Sequence, residues 1–546
     1  MRFYNDCDNG KFSLIISHKK KGVWTKTKYP STSFKNMKLF TLLLSLIPVL
    51  AVNAQGDALV EPNTVDSSGG LLDIELHLEY GSFSGPFFSY TNTRLLNGTF
   101  PGPTLRLMAG DTMRILFKNN LELQAGAVTG QENEYTDPDH SNLHFHGGHV
   151  SGELPSDDIR MAVEPGDEFQ YETTFPDNHL PGTHWIHPHV HGSSALQLGG
   201  GASMAMIVQD PDDFLPSQVE DAAETLMLFQ HINVNTIDGV ITDIGDSKLV
   251  VTKTGMENPR EFTMVNGQYQ PTLTIQPGEW RRWRIIWGSW LGDHLNLHFE
   301  DSSGCEMQLL AKDGIYIQDY PREISVATIP TGGRADIMVR CSSSGTYSVL
   351  DFLEQTALTV EVSGDTVSST DLEAWAPTYP DYLSDLTTTS ADDGCDCSTS
   401  FRRCDDENKF CVNDELFDKH VYLHTVAFGS VVERELRGIT NHPYHQHVYP
   451  FQLVSGVDSL TDADQNTYFQ TGDWHDVVQM DADSVVARYV ADVHDGVLML
   501  HCHILPHEDE GTMSQELIID GGSCECDARY TERELIIFDF NLWVFC

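Results

Sequence analysis

Basic residues are scarce in this sequence: 33 Lys and Arg stand against 80 Asp and Glu, a formal charge of −47. Such a balance argues against nucleic acid and anionic membrane surfaces, both of which need basic patches, so neither is expected as a partner. The plain reading of the charge is a solvated acidic surface that serves solubility or a saline habitat. The functional alternative is a pull on cationic substrates. Long apolar runs are also missing. The longest, residues 39–52, falls short of the roughly 20 residues a spanning helix needs, so no membrane span is expected. Glycosylation signals are scarce as well, with Asn97-Gly-Thr99 the only sequon.

Hydrophobic residues make up 40% of the chain, and frequent Gly, Pro and aromatics suit a globular β-rich protein of several domains. Residues 37–54 read as a secretory signal: Met37-Lys38, an apolar run, then Val52-Asn53-Ala54 as a cleavage site. Residues 1–36 carry eight Lys/Arg against two Asp without apolar periodicity, and read as a gene-model extension upstream of a true start at Met37. A secreted, extracellular product is expected, and disulfides are then permitted. Cys305 and Cys341 are a reasonable pair. Cys395, Cys397, Cys404, Cys411, Cys524 and Cys526 form an even set with about 15 possible connectivities, read as disulfides rather than a metal site. Cys546 is left odd.

From residue 57 onward, short β-branched and aromatic runs alternate with Gly/Pro/Asn turns, the spacing of β-sandwiches. The expected organisation is a first domain over 55–215, a second over 216–365 and a third over 416–530. An acidic Cys-rich connection of little regular structure fills 366–415, and 531–546 form an apolar tail too short to span a membrane. The second domain has no paired histidine motif and reads as a spacer.

Chemistry concentrates in four places. Asn142-Leu-His-Phe-His-Gly-Gly148 puts His144 and His146 on one face of a strand, since side chains alternate. His187 and His189 repeat that spacing inside Gly182-Thr-His-Trp-Ile-His-Pro-His-Val-His-Gly192. His149, His184 and His191 read as supporting or surface positions. Asn441-His-Pro-Tyr-His-Gln-His447 supplies His442, His445 and His447. Between Leu498 and Met513 lie His501, Cys502, His503 and His507 after an apolar strand-like run. Alternation there sends the Cys502 thiol one way and His501 and His503 the other, so one thiolate serves one metal while its neighbours serve another. A lone strand His is usually structural; two His-x-His pairs on shared faces point to shared metal. A thiolate with imidazoles is the ligand set of a blue-copper centre.

These four motifs in this order, with Asn97-Gly, Pro101-Gly-Pro103, Gly110-Asp111 and Val265-Asn-Gly-Gln268, resemble the multicopper oxidase family over roughly residues 57–520. The variant around His187 is most similar to three-domain enzymes of bacterial type. The resemblance implies an all-β fold of three cupredoxin-like Greek-key sandwiches and four copper ions: one type 1, one type 2 and two type 3. By the same resemblance Cys502, His442 and His507 correspond to the type 1 ligands and His144 and His445 to the type 2 ligands. His146, His187, His189, His447, His501 and His503 correspond to the type 3 ligands. Cys502 with His501 and His503 would carry electrons, and Glu508, Asp157 or Asp158 would supply protons near the cluster. For Glu508 the alternative is a surface acid in a Glu-Asp-Glu run. One position departs from the family: ten residues after Cys502, where Met, Leu or Phe is usual, stands Thr512, with Met513 next.

The implied function is a laccase-like oxidase, expected as a monomer, that couples four one-electron oxidations of a small phenol or aromatic amine to reduction of O₂ to water. A metal oxidase for Fe(II) or Mn(II) is the alternative, favoured by the acidic surface and by Glu508-Asp-Glu510, although no Met-rich segment is present. A non-catalytic copper-binding or cell-wall protein of the same fold is a third class. It is disfavoured because all eleven ligand positions are kept.

Overall fold

The structure is a computed structural model that describes residues 56–253, 261–300, 303–404 and 409–526, and the strands Ile15–Lys20, Val23–Lys28 and Tyr530–Thr531. The expected signal segment, Cys7, Cys546 and nearly all of the apolar tail lie outside the described residues. Two compact units are distinguished. In residues 1–49, Ile15–Lys20 pairs antiparallel with Val23–Lys28. All else belongs to residues 50–546.

That second unit is built from sandwiches of strands whose burial alternates as sequence alternation requires. In Thr112–Asn119 every second side chain is buried, and Ser484–Val490 repeats the pattern. The first sandwich sets a five-stranded sheet containing Gly182–His187 and His144–His146 against another containing Leu71–Gly85 and Thr112–Asn119. Leu72, Leu76 and Phe117 of one sheet and Phe145, Ile186 and Met206 of the other share its core. The second packs a seven-stranded path against four strands, and the third packs six against five. Neighbouring strands are frequently non-consecutive in sequence, as Greek-key crossovers demand. The molecule is all-β with three cupredoxin-type sandwiches.

Three features depart from the sequence reading. The Cys-rich connection is not irregular throughout: Asp396–Arg403 pairs in parallel with Val431–Arg437, and Phe410–Val412 adds an edge, so both belong to the third sandwich. Cys397, Thr399 and Phe401 alternate inward, a strand signal hidden by the polar residues between them. The second sandwich is also more than a spacer. Val250–Lys253 leaves it to pair with Phe88–Leu96 of the first, and residues 56–60 of the first bond along residues 268–272 of the second. It also carries an unforeseen helix, Val234–Ile244, which buries Val234, Ile237, Val240 and Ile244 at helical spacing and is capped by Asn233.

Disulfides join Cys305–Cys341, Cys395–Cys524, Cys397–Cys526 and Cys404–Cys411. The C-x-C pairs thus bridge the start of Asp396–Arg403 to the segment after Met513–Ile519, each with a sequence separation of 129. In the chain-entropy picture one bridge over so long a loop is worth about 4–5 kcal/mol, and its twin adds little, because the ends are already joined.

Candidate metal centre

Strand His144–His146 is buried at all three positions and pairs antiparallel with Gly182–His187, setting His144 opposite His187 and His146 opposite Trp185. Phe145 turns to the hydrophobic core, so both imidazoles take the other face. The third sandwich repeats the device: in Tyr444–Gln446, His445 stands opposite His501, and Tyr444 opposite Cys502. The two faces meet. His144 stacks on His447 at 3.8 Å between ring centroids, and His146 on His445 at 3.9 Å.

Eight histidines from opposite ends of the chain converge there as one pair and two triads. His144 and His445 form the pair; His146, His187 and His503 form one triad, and His189, His447 and His501 the other. The hydrogen bonds around them fix which nitrogen points inward. His144 Nδ1 donates to Asp157 at 2.9 Å, and His445 Nδ1 to the Asp476 carbonyl at 2.9 Å. Both Nε2 atoms are therefore acceptors, yet they face each other at 3.3 Å. His501 Nδ1 donates to the Cys502 carbonyl, leaving its Nε2 lone pair 3.0 Å from His189 Nε2 and 3.2 Å from His447 Nε2. His187 Nε2 and both ring nitrogens of His146 and His503 are buried without a hydrogen-bond partner. Converging lone pairs repel unless a cation lies between them, and unpaired buried nitrogens are costly. The donor set fits metal ions. Burial first, then the neighbouring imidazoles, hold His144 and His447 well below the usual histidine range, so the rings are neutral and ready to ligate.

Outside the rings lies a second layer that the motifs did not disclose. Arg334 of the second sandwich is fully buried and forks onto Asp476 of the third with two bonds of 2.6 Å; its Nε also donates to the Thr183 carbonyl of the first. Asp476 lies 3.5 Å from His146 Nε2. One guanidinium thus pins all three sandwiches beside the cluster. Close approach demands glycine: a Cβ on Gly147 would lie 2.2 Å from Arg334, and one on Gly332, at φ +86, would lie 2.7 Å from the His503 ring. The available signal for Asp476 was an acid inside the apolar run Trp474-His-Asp-Val-Val478. Arg334 offered none.

The acids sort cleanly. Asp157 is buried, accepts from the Phe145 amide and from His144, and burial raises its carboxyl well above the usual range. Asp158 turns away to the Arg160 guanidinium at 2.7 Å. Glu508 is 0% exposed, which removes the surface-acid alternative; it accepts from Ser194 Oγ and lies 3.2 Å from His191 Nδ1 and 4.0 Å from His189 Nδ1. Burial pushes its carboxyl up to about 7. Asp509, also 0% exposed, accepts from the amides of Gly192, Ser194 and Ala195. Glu508 and Asp509 are therefore internal, and within this run Glu510 alone keeps partial exposure. Of the other histidines, His149 donates to the Val448 carbonyl and His184 is buried near Arg334, while His191 contacts Glu508.

The fourth set lies wholly in the third sandwich. His442 Nδ1 is 3.3 Å from Cys502 Sγ and from His507 Nδ1, and Sγ is 3.8 Å from His507 Nδ1. Cys502 is the free cysteine among the described residues, and burial pushes its thiol up. A bound cation would invert that preference. Cys502 faces this set while His501 faces its triad, as alternation predicted. Met513 pairs with His501 in Met513–Ile519, so it shares that face and packs with Ile159, Val497 and Met499. No local shift brings Met513 to the sulfur. Thr512 is the residue beside Cys502, whose amide donates to its carbonyl at 3.1 Å.

Comparison with known proteins agrees with this arrangement. Residues 87–213 and 390–521 match two family models, each described as multicopper oxidase. The chain is 23% identical over 480 residues to an iron transport multicopper oxidase of Kluyveromyces lactis, covering 76% of this chain and 71% of that one. It is 24% identical over 432 residues to a multicopper oxidase of Staphylococcus aureus, covering 78% and 84%. Among solved structures, a laccase of Pediococcus acidilactici superposes with a TM-score of 0.65 at 19% identity, over 86% of this chain and 95% of that one. The chain belongs to the multicopper oxidase family and is a copper-dependent oxidoreductase that passes electrons from a reductant to O₂.

Proposed function

We propose that the protein is a secreted, laccase-like oxidase that oxidises phenols or aromatic amines and reduces O₂ to water with four coppers. The observation that carries this reading is the single peptide His501-Cys502-His503, whose thiol faces one donor set while its two imidazoles belong to the two triads of another. Cys502, His442 and His507 would hold the type 1 ion, His144 and His445 the type 2 ion, and the triads the type 3 pair. When bound, copper supplies one-electron redox chemistry, and the soft thiolate and imidazoles suit it.

The protein's own groups do the rest. Cys502 and its neighbours provide a covalent path of one residue in each direction from sulfur to imidazole. Asp157 fixes the His144 tautomer and Asp476 that of His445, so each offers Nε2. Glu508, buried 4.0 Å from His189, is placed to hold a proton for the cluster. Four disulfides support an oxidising, extracellular location.

Oxidation of Fe(II) or Mn(II) is a second reading, supported by the iron transport function in the name of the Kluyveromyces relative and by the charge of −47. One preparation tests both. Copper-loaded protein should be blue, and Cys502→Ser should lose the colour and the oxidase activity; a colourless, fully active wild type would sink the scheme. Comparing kcat/KM for a phenol, Fe(II) and Mn(II) on that sample then assigns the reductant.

A further inference from the structure

Thr512 replaces the apolar residue usual beside the type 1 sulfur, and its bonding says what it does instead. Its hydroxyl donates to the carbonyl of Phe410 at 3.0 Å. The Phe410 ring packs against both imidazoles of this set, with centroids 4.5 Å from His442 and 4.4 Å from His507. Other ties hold the same residue. Phe410 pairs with Arg403 across the strands Asp396–Arg403 and Phe410–Val412, the Arg403 guanidinium lies 5.3 Å from its ring centre, and the next residue, Cys411, is bridged to Cys404. Both His442 and His507 turn Nδ1 toward Cys502 Sγ. Phe410 and His507 are only partly buried, whereas Cys502 is 0% exposed. Among the described residues the Phe410 ring packs against both imidazoles, and the partly buried His507 brings the set nearest to solvent.

We propose that Phe410 is a specificity-determining residue that screens the His442–His507 edge, and that Thr512 is the positioning residue that holds it there. The native site then favours reductants able to reach an imidazole past one phenyl ring, hydrated metal ions and single-ring phenols, over multi-ring phenols. This rests on the reading of His442, Cys502 and His507 as one copper-binding set.

The test uses copper-loaded full chain with Phe410→Ala, Phe410→Leu and Thr512→Val. For Phe410→Ala, kcat/KM for a bulky two-ring phenol should rise about tenfold, mainly through KM, while a single-ring phenol changes by less than about threefold. Phe410→Leu should give an intermediate rise and guards against a misfolded alanine variant. Thr512→Val, which keeps the shape and removes one hydrogen bond, should move the same ratio by about threefold with no shift of the blue band. A shifted band, or equal changes for both phenols, would overturn the proposal. A second readout needs no metal. In copper-free protein, diethyl pyrocarbonate modification of His442 and His507, mapped by mass spectrometry, should quicken in Phe410→Ala while His424 stays unchanged. If neither rate moves, Phe410 does not cover the edge. A colourless copper-loaded wild type would instead fail the copper assignment, and the modification rates would still decide the question of cover.

Discussion

The eight-histidine cluster and the Cys502 set sit back to back on one strand, yet they are built in opposite ways. The cluster draws on residues over three hundred positions apart, such as His189 and His501, and is closed by an arginine from the intervening sandwich. Each of its eight imidazoles is at most 3% exposed. The Cys502 set is local to the third sandwich, with His442 at 5% and His507 more open still. On the proposed function the difference follows from what each would have to meet. A cluster that handles O₂ with a supply of protons gains from a dry, rigid wall. A site that took electrons from a reductant would need an edge where one can approach, and among the described residues Phe410 packs against that edge.

The largest effect should come from breaking the cluster alone. His146→Ala removes one member of a triad without touching Cys502, and turnover should fall about a thousandfold or more, some 4 kcal/mol of transition-state stabilisation. The blue band should persist, and anaerobic reductant should still bleach it. Loss of the band with the activity would mean that the two regions are not separable. Next in size is the wall. Arg334→Met leaves buried Asp476 without its partner, and breaking such a pair costs about 3–5 kcal/mol. Denaturant unfolding of the copper-free protein should register that cost. Copper content should fall at the cluster while the blue band per protein stays near the wild-type value. Equal loss at both regions would show that Arg334 stabilises the whole molecule and not the cluster's side of it.

The same contrast governs how far the sequence could be read. Which histidines and cysteine come together was legible because strand alternation converts spacing into facing: His144 with His146, and Cys502 against His501, need no tertiary information. Sandwich architecture was legible for the same reason, as in Thr112–Asn119. What could not be read were contacts set by packing between sandwiches. Arg334 stands in an ordinary strand, and nothing near it announces Asp476, 142 residues away. Phe410 lay hidden inside a segment whose cysteines and acids suggested a loop. The burial of Glu508 was hidden similarly, since acids in a row imply solvent until a neighbouring sandwich supplies the Ser194 hydroxyl and, for Asp509, three backbone amides.

The smallest predicted effect is the sharpest test of the divide. Met513 is one residue from Thr512 and, by sequence alone, an equal candidate to face the Cys502 sulfur. Its register opposite His501 instead sends the thioether into the apolar cluster with Ile159, Val497 and Met499, on the far face of the sheet from the sulfur. Met513→Leu is a nearly volume-conserving swap there and should cost under about 1.5 kcal/mol. The blue band and the reduction potential of the Cys502 set should both be unchanged. A shifted potential would place the thioether at the metal and erase the separation of faces on which both regions depend.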